Sequence, residues 1–230
     1  YIRYIETIME LIKINRLTKK FGKVEVLKGI FLTYQSGNIY GLVGENGAGK
    51  TTLFNCIMGI YKHEGIIEKT SCLQIGYQPA DSFFYSLITG LEYIEFCMRA
   101  KGKQINEEKV EQLNTIFQLP LNRYASEYST GMKKKLSFMA LLLQENDVYI
   151  LDEPFNGVDL RGCIQLKKLI RSLKEAGKTI IISSHQIAAL HEICDYIHYL
   201  NRHTIAKQYT DESIEEIEND ILTESFSGFH

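Results

Sequence analysis

The apolar positions of the chain fall into short blocks that alternate between the spacing of strands and the spacing of helices. Four compact blocks are apolar or β-branched, which favours buried strands, at residues 38–43, 148–151, 179–183 and 196–200. Three blocks repeat apolar residues every three or four positions, which favours amphipathic helices, at residues 50–58, 164–173 and 186–194. This alternation predicts an α/β fold whose mostly parallel sheet is covered by helices on both faces.

The first third of the chain carries shorter strand-like runs. These runs lie at residues 11–17, 24–27, 30–34, 66–67 and 73–77. Because Lys28-Gly29 interrupts the apolar pattern between the second and third runs, we expect two short strands there.

Helical spacing dominates residues 89–145, which we expect to form a helical subdomain inserted into the α/β chain. Thr89 opens a T-x-x-E capping box, and Asn106 is a suitable cap for a second helix. Pro120 ends that second helix. A third helix is predicted over residues 131–143.

Composition and charge exclude several classes of protein. The 230 residues are 45% hydrophobic and 23% charged, with a formal net charge of −2. That charge argues against a nucleic-acid partner, which usually requires a basic patch. No apolar run approaches the roughly 18 residues of a membrane span. The five scattered cysteines lack C-x-x-C spacing, which predicts reduced thiols rather than a metal site.

A glycine-rich segment carries the strongest chemical signal. Residues 44–52 fit G-x-x-x-x-G-K-[ST], the phosphate-cradling P-loop, and they lie between a predicted strand and a predicted helix. Free N–H groups at a helix N-terminus attract anions. Lys50 is placed to reach the β- and γ-phosphates of a nucleotide, and the Thr51 hydroxyl to bind Mg²⁺. The candidate nucleotide-binding residues are Asn46, Gly47, Ala48, Gly49, Lys50, Thr51 and Thr52.

Two carboxylates follow the apolar strand at residues 148–151. Ligands of open α/β sheets lie at the carboxyl ends of the strands, where Asp152 is placed to hold Mg²⁺. Glu153, one residue on, points to the other side and is placed to polarise a water as a general base. The alternative is a polar strand end with two solvated acids.

These motifs and their order resemble the ATP-binding subunits of ABC transporters over nearly the whole chain, from about Leu11 to Lys207. The resemblance implies a P-loop NTPase (RecA-like) core with a mostly parallel sheet, an N-terminal antiparallel β subdomain and the inserted helical subdomain. It implies an ATP-binding cassette at residues 9–210. The acidic residues that follow predict an acidic C-terminal tail at 211–230. We expect residues 1–8 to be an upstream extension before a natural start at Met9.

The resemblance also assigns roles to residues outside the P-loop. Phe21 would stack on adenine, Gln78 would meet Mg²⁺ or the attacking water, and His185 would contact the γ-phosphate and steady Glu153. Ser129 and Gly131 stand in the signature segment that grips the γ-phosphate of the other subunit. Thr130 and Met132 replace a glycine and a glutamine of that signature. Residues 156–159 resemble the D-loop, which crosses the dimer interface.

Each of these residues also has a plainer interpretation. Phe21 would be a core aromatic, Gln78 a turn residue and His185 a structural or solvated histidine. Ser129 would cap an ordinary helix. The run of lysines at residues 133–135 is expected to be a solvated face.

The resemblance implies an ATPase that powers transport, with export as the expected direction, and with ATP and Mg²⁺ as cofactors. Its partners would be a second copy, paired head to tail, and a separate transmembrane permease. The chain would then be cytoplasmic and peripheral, on the inner face of the cell membrane. The alternative is a soluble ABC-type ATPase that is not coupled to transport.

Overall fold

Nine strands and seven α-helices are present in a computed structural model, which describes residues 9–226 and the side chains of residues 9–223. The strands are β1 (Glu10–Phe21), β2 (Val24–Gln35), β3 (Ile39–Val43), β4 (Glu64–Lys69), β5 (Ile75–Gln78), β6 (Val148–Asp152), β7 (Thr179–Ser184), β8 (Tyr196–Asn201) and β9 (Thr204–Tyr209). The helices are α1 (Lys50–Ile57), α2 (Gly90–Ala100), α3 (Glu107–Phe117), α4 (Thr130–Leu143), α5 (Leu160–Glu175), α6 (Ile187–His191) and α7 (Ile214–Phe226).

The larger sheet has the strand order β5-β6-β7-β3-β8-β9. Its first five strands pair in parallel, and β9 pairs antiparallel with β8 at the edge. This confirms the predicted α/β fold with a mostly parallel sheet. Since β3, β7 and β6 are neighbours and parallel, the loops that follow these three strands meet at one edge.

A second sheet, in the order β2-β1-β4, is antiparallel and confirms the N-terminal β subdomain. The expectation of two strands on either side of Lys28-Gly29 was wrong, because β2 runs through them. Gly29 has a positive φ of 60°, and the register shifts between the pairs Leu17–Ile30 and Lys19–Leu27. The one extra residue on β2 forms a bulge, so the apolar pattern breaks while the strand continues.

The two faces of the larger sheet bury different partners. Ile180 and Ile182 of β7 belong to a core shared with the helical block, whereas Ile181 belongs to the core under α1 and the antiparallel sheet. Successive residues of a strand point to opposite faces, so one β-branched run serves both cores. Burial of apolar area on both sides contributes about 25 cal/mol per Å² to stability.

The helical block has the predicted caps. Thr89 and Glu92 form the reciprocal capping box, and the Asn106 side chain accepts the N–H of Lys109. The second helix ends at Phe117, three residues before Pro120. Helix α4 packs against α2 and α3 and ends beside the larger sheet.

The structure describes the two ends of the chain only in part. Residues 1–8, expected as an extension, lie outside the described residues, as do residues 227–230 of the expected tail. The remainder of that tail includes α7, whose Ile217 is buried in the core that the larger sheet shares with the helical block. The cysteines are free thiols, as predicted. Within residues 9–226 no helix combines the length and apolar character that crossing a bilayer requires.

Candidate active site

Two glycines of the loop between β3 and α1 have no room for a side chain. A Cβ on Gly44 would lie 2.6 Å from the Leu200 carbonyl oxygen, and one on Gly49 would lie 3.0 Å from the Val26 carbonyl oxygen. Gly49 also has a φ of 111°. The loop therefore folds tightly over the end of β3 and directs the first N–H groups of α1 toward one point, where an anion is favoured.

Lys50 bends back over this loop. Its ammonium donates hydrogen bonds to the carbonyl oxygens of Gly44 and Glu45, at 2.6 Å and 3.2 Å, and is almost fully buried. It also lies 3.5 Å from a carboxylate oxygen of Glu153. A cation held by neutral carbonyls beside the anion-favouring helix end is positioned to neutralise a phosphate.

Asp152 lies at the end of β6, fully buried, and is held by two hydroxyl groups. Thr51 Oγ1 donates to Asp152 Oδ2 at 2.6 Å, and Ser183 Oγ donates to Asp152 Oδ1. Ser183 is the register partner of Asp152 in the parallel pair β6–β7. Strand β7 lies between β6 and β3, and the two hydroxyl groups connect Asp152 at the end of β6 to β7 and to the P-loop helix.

Glu153 has a backbone φ of 48°, in the left-handed region that side chains other than glycine rarely adopt. Its N–H donates to Ser183 Oγ at 3.0 Å. Its carboxylate lies 3.0 Å from His185 Nδ1 on one side and 3.5 Å from Lys50 Nζ on the other. A residue in this region carries a backbone strain of about 1–3 kcal/mol, and such residues cluster at functional sites. In this backbone conformation the Glu153 carboxylate lines the cavity between Lys50 and His185.

These groups surround one polar cavity of about 310 Å³. Its lining is Glu45, Asn46, Gly47, Gly49, Lys50, Thr51, Thr52, Ala80, Asp81, Asp152, Glu153 and Asn156. The cavity therefore collects most of the predicted nucleotide-binding residues and both carboxylates. Ala48 is half-buried in the same loop and does not line the cavity.

The donor set at this cavity fits Mg²⁺. Thr51 supplies a hydroxyl and Asp152 a carboxylate, and Mg²⁺ is bound through one or two such oxygens together with phosphate and water. Gln78 was predicted as a third ligand, but it is 1% exposed and does not line the cavity. Its amide nitrogen donates to the Lys134 carbonyl at 2.8 Å, and its amide oxygen is buried without a hydrogen-bond partner.

Ser129 and Gly131 lie outside this cavity, at the start of α4. The exposed Ser129 side chain caps the helix by accepting the N–H of Met132 at 3.2 Å. Gly131 is buried against the predicted D-loop, since a Cβ there would lie 2.7 Å from the Gly157 carbonyl oxygen. The structure thus brings the signature and D-loop segments together. Ser129 and Gly131 do not line the cavity beside the P-loop of the same chain, whereas Asn156 of the D-loop segment does.

Phe21 lies at the tip of the β1–β2 hairpin and is 45% exposed, which disfavours its interpretation as a core residue. Its ring packs edge to face on Tyr61, with 5.4 Å between centroids, and Lys19 Nζ lies 4.5 Å from its centroid. It does not line the described cavity. An aromatic face held this way is suited to stacking on a base.

The lysine run at residues 133–135 is not the solvated face that the sequence suggested. Lys134 is buried, and the partly buried Lys135 pairs with Asp159 at 2.9 Å. Burial lowers the pKa of Lys134, and the nearby carboxylates of Asp152, Asp81 and Glu153 act in the opposite direction. Helical phase was the available signal, because Lys134 and Lys135 follow the buried Gly131 by three and four positions and therefore share its face.

Asp81 lines the cavity and Ser183 binds the Asp152 carboxylate, and neither was predicted as a site residue. Asn156 also lines the cavity and was predicted only as part of the D-loop segment. Asp81 and Asn156 lie in loops that directly follow the predicted Gln78 and Glu153, so proximity along the chain was a usable signal. Ser183 was assigned only to a strand. Its role depends on the pairing of β6 with β7, which no local motif encodes.

Comparisons with known proteins place the motifs of this site in one family. Residues 27–156 match the family model described as ABC transporter. The chain is 33% identical to the uncharacterised ABC transporter ATP-binding protein sll0415 of Synechocystis over 78% of this chain and 55% of the relative. It is 34% identical to MJ1023 of Methanocaldococcus jannaschii, an uncharacterised ABC transporter ATP-binding protein, over 83% of this chain and 74% of the relative.

A relative with a named substrate is the bacitracin transport ATP-binding protein BcrA of Enterococcus faecalis, 33% identical over 83% of this chain and 66% of its own length. The chain thus spans little more than half of sll0415 and about two thirds of BcrA.

Solved structures share the fold. An ATP-binding subunit of an ABC transporter superposes with a TM-score of 0.80 at 26% identity, covering 92% of this chain and 93% of that one. The dimeric cassette MJ0796 superposes with a TM-score of 0.79 at 23% identity, covering 89% and 100%. The P-loop, the acidic end of β6 and the family match together show that the chain belongs to the ABC transporter family, among its ATP-binding subunits.

Proposed function

We propose that this chain hydrolyses ATP with Mg²⁺ and powers transport as the nucleotide-binding subunit of an ABC transporter. The observation that carries the proposal is the cavity in which Lys50, Thr51, Asp152 and Glu153 converge within hydrogen-bonding or ion-pairing distance. Phosphoryl transfer to water requires positioning and charge stabilisation more than covalent chemistry, and these residues supply both.

Each residue has a definite task in this proposal. Lys50 exchanges its loop carbonyls and Glu153 for the phosphates of ATP, which frees the Glu153 carboxylate to accept a proton from water. His185, bonded to Glu153, fixes the direction of that carboxylate. Thr51 and Asp152 would hold Mg²⁺, which when bound neutralises charge developing on the phosphate oxygens. Gln78 would join them only after its side chain leaves its buried position.

We propose a head-to-tail pair of copies as the working unit. Ser129 and Gly131 form a capped helix start that lies apart from the cavity of their own chain. A second copy would bring this helix start to the γ-phosphate, where its N–H groups favour negative charge. The dimeric state of the MJ0796 cassette supports the pairing. Loss of the γ-phosphate would remove the shared anion and open the pair.

A separate permease is proposed as the second partner. Large apolar side chains are exposed in the segment after Gln78 and on α2: Phe83, Tyr85, Leu87 and Phe96. Exposed clusters of this kind mark protein contacts. Binding there would hold the chain at the cytoplasmic face of the membrane. Export as the direction is supported by the likeness of residues 131–136 and 156–159 to exporter-type cassettes.

Turnover of purified protein with Mg²⁺ and ATP tests the proposed chemistry. Glu153→Gln should bind ATP, lose turnover by at least about 10²-fold and elute as a dimer in the presence of ATP. Glu175→Gln, an exposed carboxylate on α5, is the matched control and should keep full activity. Wild-type protein that neither binds nor cleaves ATP would contradict the proposal.

The permease contact has its own test. A tagged wild-type chain, purified from detergent-solubilised membranes, should retain an integral membrane protein. Leu87→Glu changes a side chain that is 76% exposed, so folding and ATP binding should persist while the membrane protein is lost. Equal retention by the variant would remove this surface from the proposal.

A further inference from the structure

Lys134 occupies an unusual position for a lysine in the middle of a basic run. It lies one turn into α4 and is 3% exposed. Its ammonium donates to the carbonyl oxygen of Pro79 at 3.3 Å and to the carbonyl oxygen of Asp152 at 3.2 Å. These carbonyls belong to the segment after β5 and to the end of β6, so one side chain bridges α4 to two strand ends.

The backbone of Lys134 makes a third connection. Its carbonyl oxygen accepts a hydrogen bond from the Gln78 amide at 2.8 Å. Gln78 ends β5 and precedes Pro79, so the side chain and the main chain of Lys134 hold consecutive residues of one loop. Helix α4 is therefore fastened both to the loop that carries Gln78 and to the backbone of Asp152, from which Glu153 follows directly.

A purely packing role does not require an ammonium here. Burying a charged group costs several kcal/mol, and apolar residues of similar volume often replace buried ion pairs without loss of stability. What the ammonium adds is direction, because its N–H groups must meet specific acceptors. Both observed acceptors are main-chain carbonyls next to residues that face the cavity or are predicted to act in it. The bridge therefore fixes geometry at the hydrolytic end of the site.

We propose that Lys134 is a positioning residue that couples the start of α4 to the catalytic carboxylate end of its own chain. The inference rests on the proposed function, because Ser129 would meet the nucleotide of the partner subunit. A shift of α4 on meeting that nucleotide would move the Asp152 backbone and the Gln78 loop through Lys134. Each site would thereby be set by the occupancy of the other.

The test separates nucleotide binding from turnover in Lys134→Met, which keeps the length of the side chain and removes its donors. ATP affinity and KM should stay within about two-fold, because the P-loop is untouched, while kcat falls by roughly 10- to 100-fold, as small misplacements of catalytic groups cause. Lys133→Met, on the same helix with a half-buried side chain, is the matched control and should keep its kcat. Thermal unfolding of each variant establishes that it is folded.

Lys134→Gln is the second variant, because a shorter amide retains N–H donors without a charge. This variant replaces Lys134→Met in the test if Lys134→Met does not fold. Its kcat should lie between those of wild type and Lys134→Met. A kcat within about two-fold of wild type in a folded variant overturns the inference, since misplacement would cost more. So does a parallel fall of affinity and kcat, which indicates a structural role. Wild-type protein without turnover contradicts the proposed function as well, whereas normal wild-type turnover with an unaffected variant contradicts this inference alone.

Discussion

His185 Nδ1 lies 3.0 Å from Glu153 Oε2, although the two residues are 32 positions apart in the chain. The contact exists because β6 and β7 are adjacent and parallel, so that the residues after their ends emerge side by side. The histidine is exposed on its outer side, and the glutamate is mostly enclosed. The pair thus presents one carboxylate, oriented by a ring nitrogen, to the cavity.

Removing this contact should reduce turnover and leave nucleotide binding nearly unchanged. We expect His185→Ala to lower kcat by about 10²–10³-fold, as the loss of one preorganised polar group does. The affinity for ATP, measured by titration with a fluorescent analogue, should change by less than about three-fold, because Lys50 and the loop N–H groups remain.

The control is His191→Ala, an exposed histidine on α6 whose ring contacts the Glu212 carbonyl oxygen. It should keep wild-type turnover. If both variants keep full turnover, His185 does not act in the reaction.

The P-loop glycines lead to a prediction about stability. Gly49→Ala places a Cβ 3.0 Å from the Val26 carbonyl oxygen at a φ of 111°, so strain and overlap add together. We expect a loss of about 2–4 kcal/mol in the free energy of unfolding, with at least tenfold weaker ATP binding. Denaturant unfolding and nucleotide titration measure the two effects.

Gly59→Ala separates conformational strain from steric overlap. Gly59 follows α1 with a φ of 74°, and a Cβ there has no neighbour within 4 Å. It should cost only about 1 kcal/mol, the usual penalty of a left-handed residue, and leave ATP binding intact. Equal losses in the two variants would show that the contact with Val26 is unimportant.

Ser183 should prove important for catalysis, although its sequence context marks it only as a strand residue. Its hydroxyl donates to Asp152 and accepts the Glu153 N–H, so Ser183→Ala removes one of the two hydroxyl partners of the buried Asp152 carboxylate and the partner of the Glu153 N–H. We expect a loss of about 1–3 kcal/mol in stability, measured by denaturant unfolding, and of roughly tenfold in kcat. Ser137→Ala, a buried serine of α4 away from the cavity, should reduce stability only. Unchanged turnover in Ser183→Ala would show that the two carboxylates hold their positions without it.

The difference between Ser183 and Lys50 shows what the sequence could predict. The P-loop is a continuous motif, so its chemistry follows from the order of its residues. The role of Ser183 depends on β7 lying between β3 and β6, and this order is a property of the whole sheet. The predicted roles of Phe21 and His185 came from motif order within the family, because composition alone gives neither residue a role.

Helix phase and edge pairing explain two other failures. Three consecutive lysines indicate solvent exposure by composition, but Lys134 and Lys135 both share the helix face of Gly131 and Phe138, which the structure buries. Strand β9 was not predicted, because its residues 204–209 lack a continuous apolar run, are half exposed and pair as an antiparallel edge. Such a strand is held by backbone hydrogen bonds to β8 and lacks the apolar run of the central strands.

A last prediction concerns acid stability and involves a residue far from the cavity. Burial lowers the pKa of His198 from 6.5 to about 4, and a hydrogen bond with Gln208 opposes the shift slightly. The ring packs against Tyr34 and Tyr40. His198 binds its proton more tightly in the unfolded chain than in the folded protein. The stability that the neutral ring contributes to the fold is therefore complete above pH 6.5 and is lost as the pH falls toward 4. A shift of this size corresponds to about 3 kcal/mol.

Denaturant unfolding of wild type and His198→Phe across that pH range isolates the contribution of this ring. The variant has no proton to bind, so its free energy of unfolding should fall less steeply between pH 6.5 and pH 4. His203→Phe, at an exposed position between β8 and β9, should retain the wild-type slope. Identical slopes for wild type and His198→Phe would mean that His198 is protonated in the folded protein, and that carboxylates alone set the acid limit.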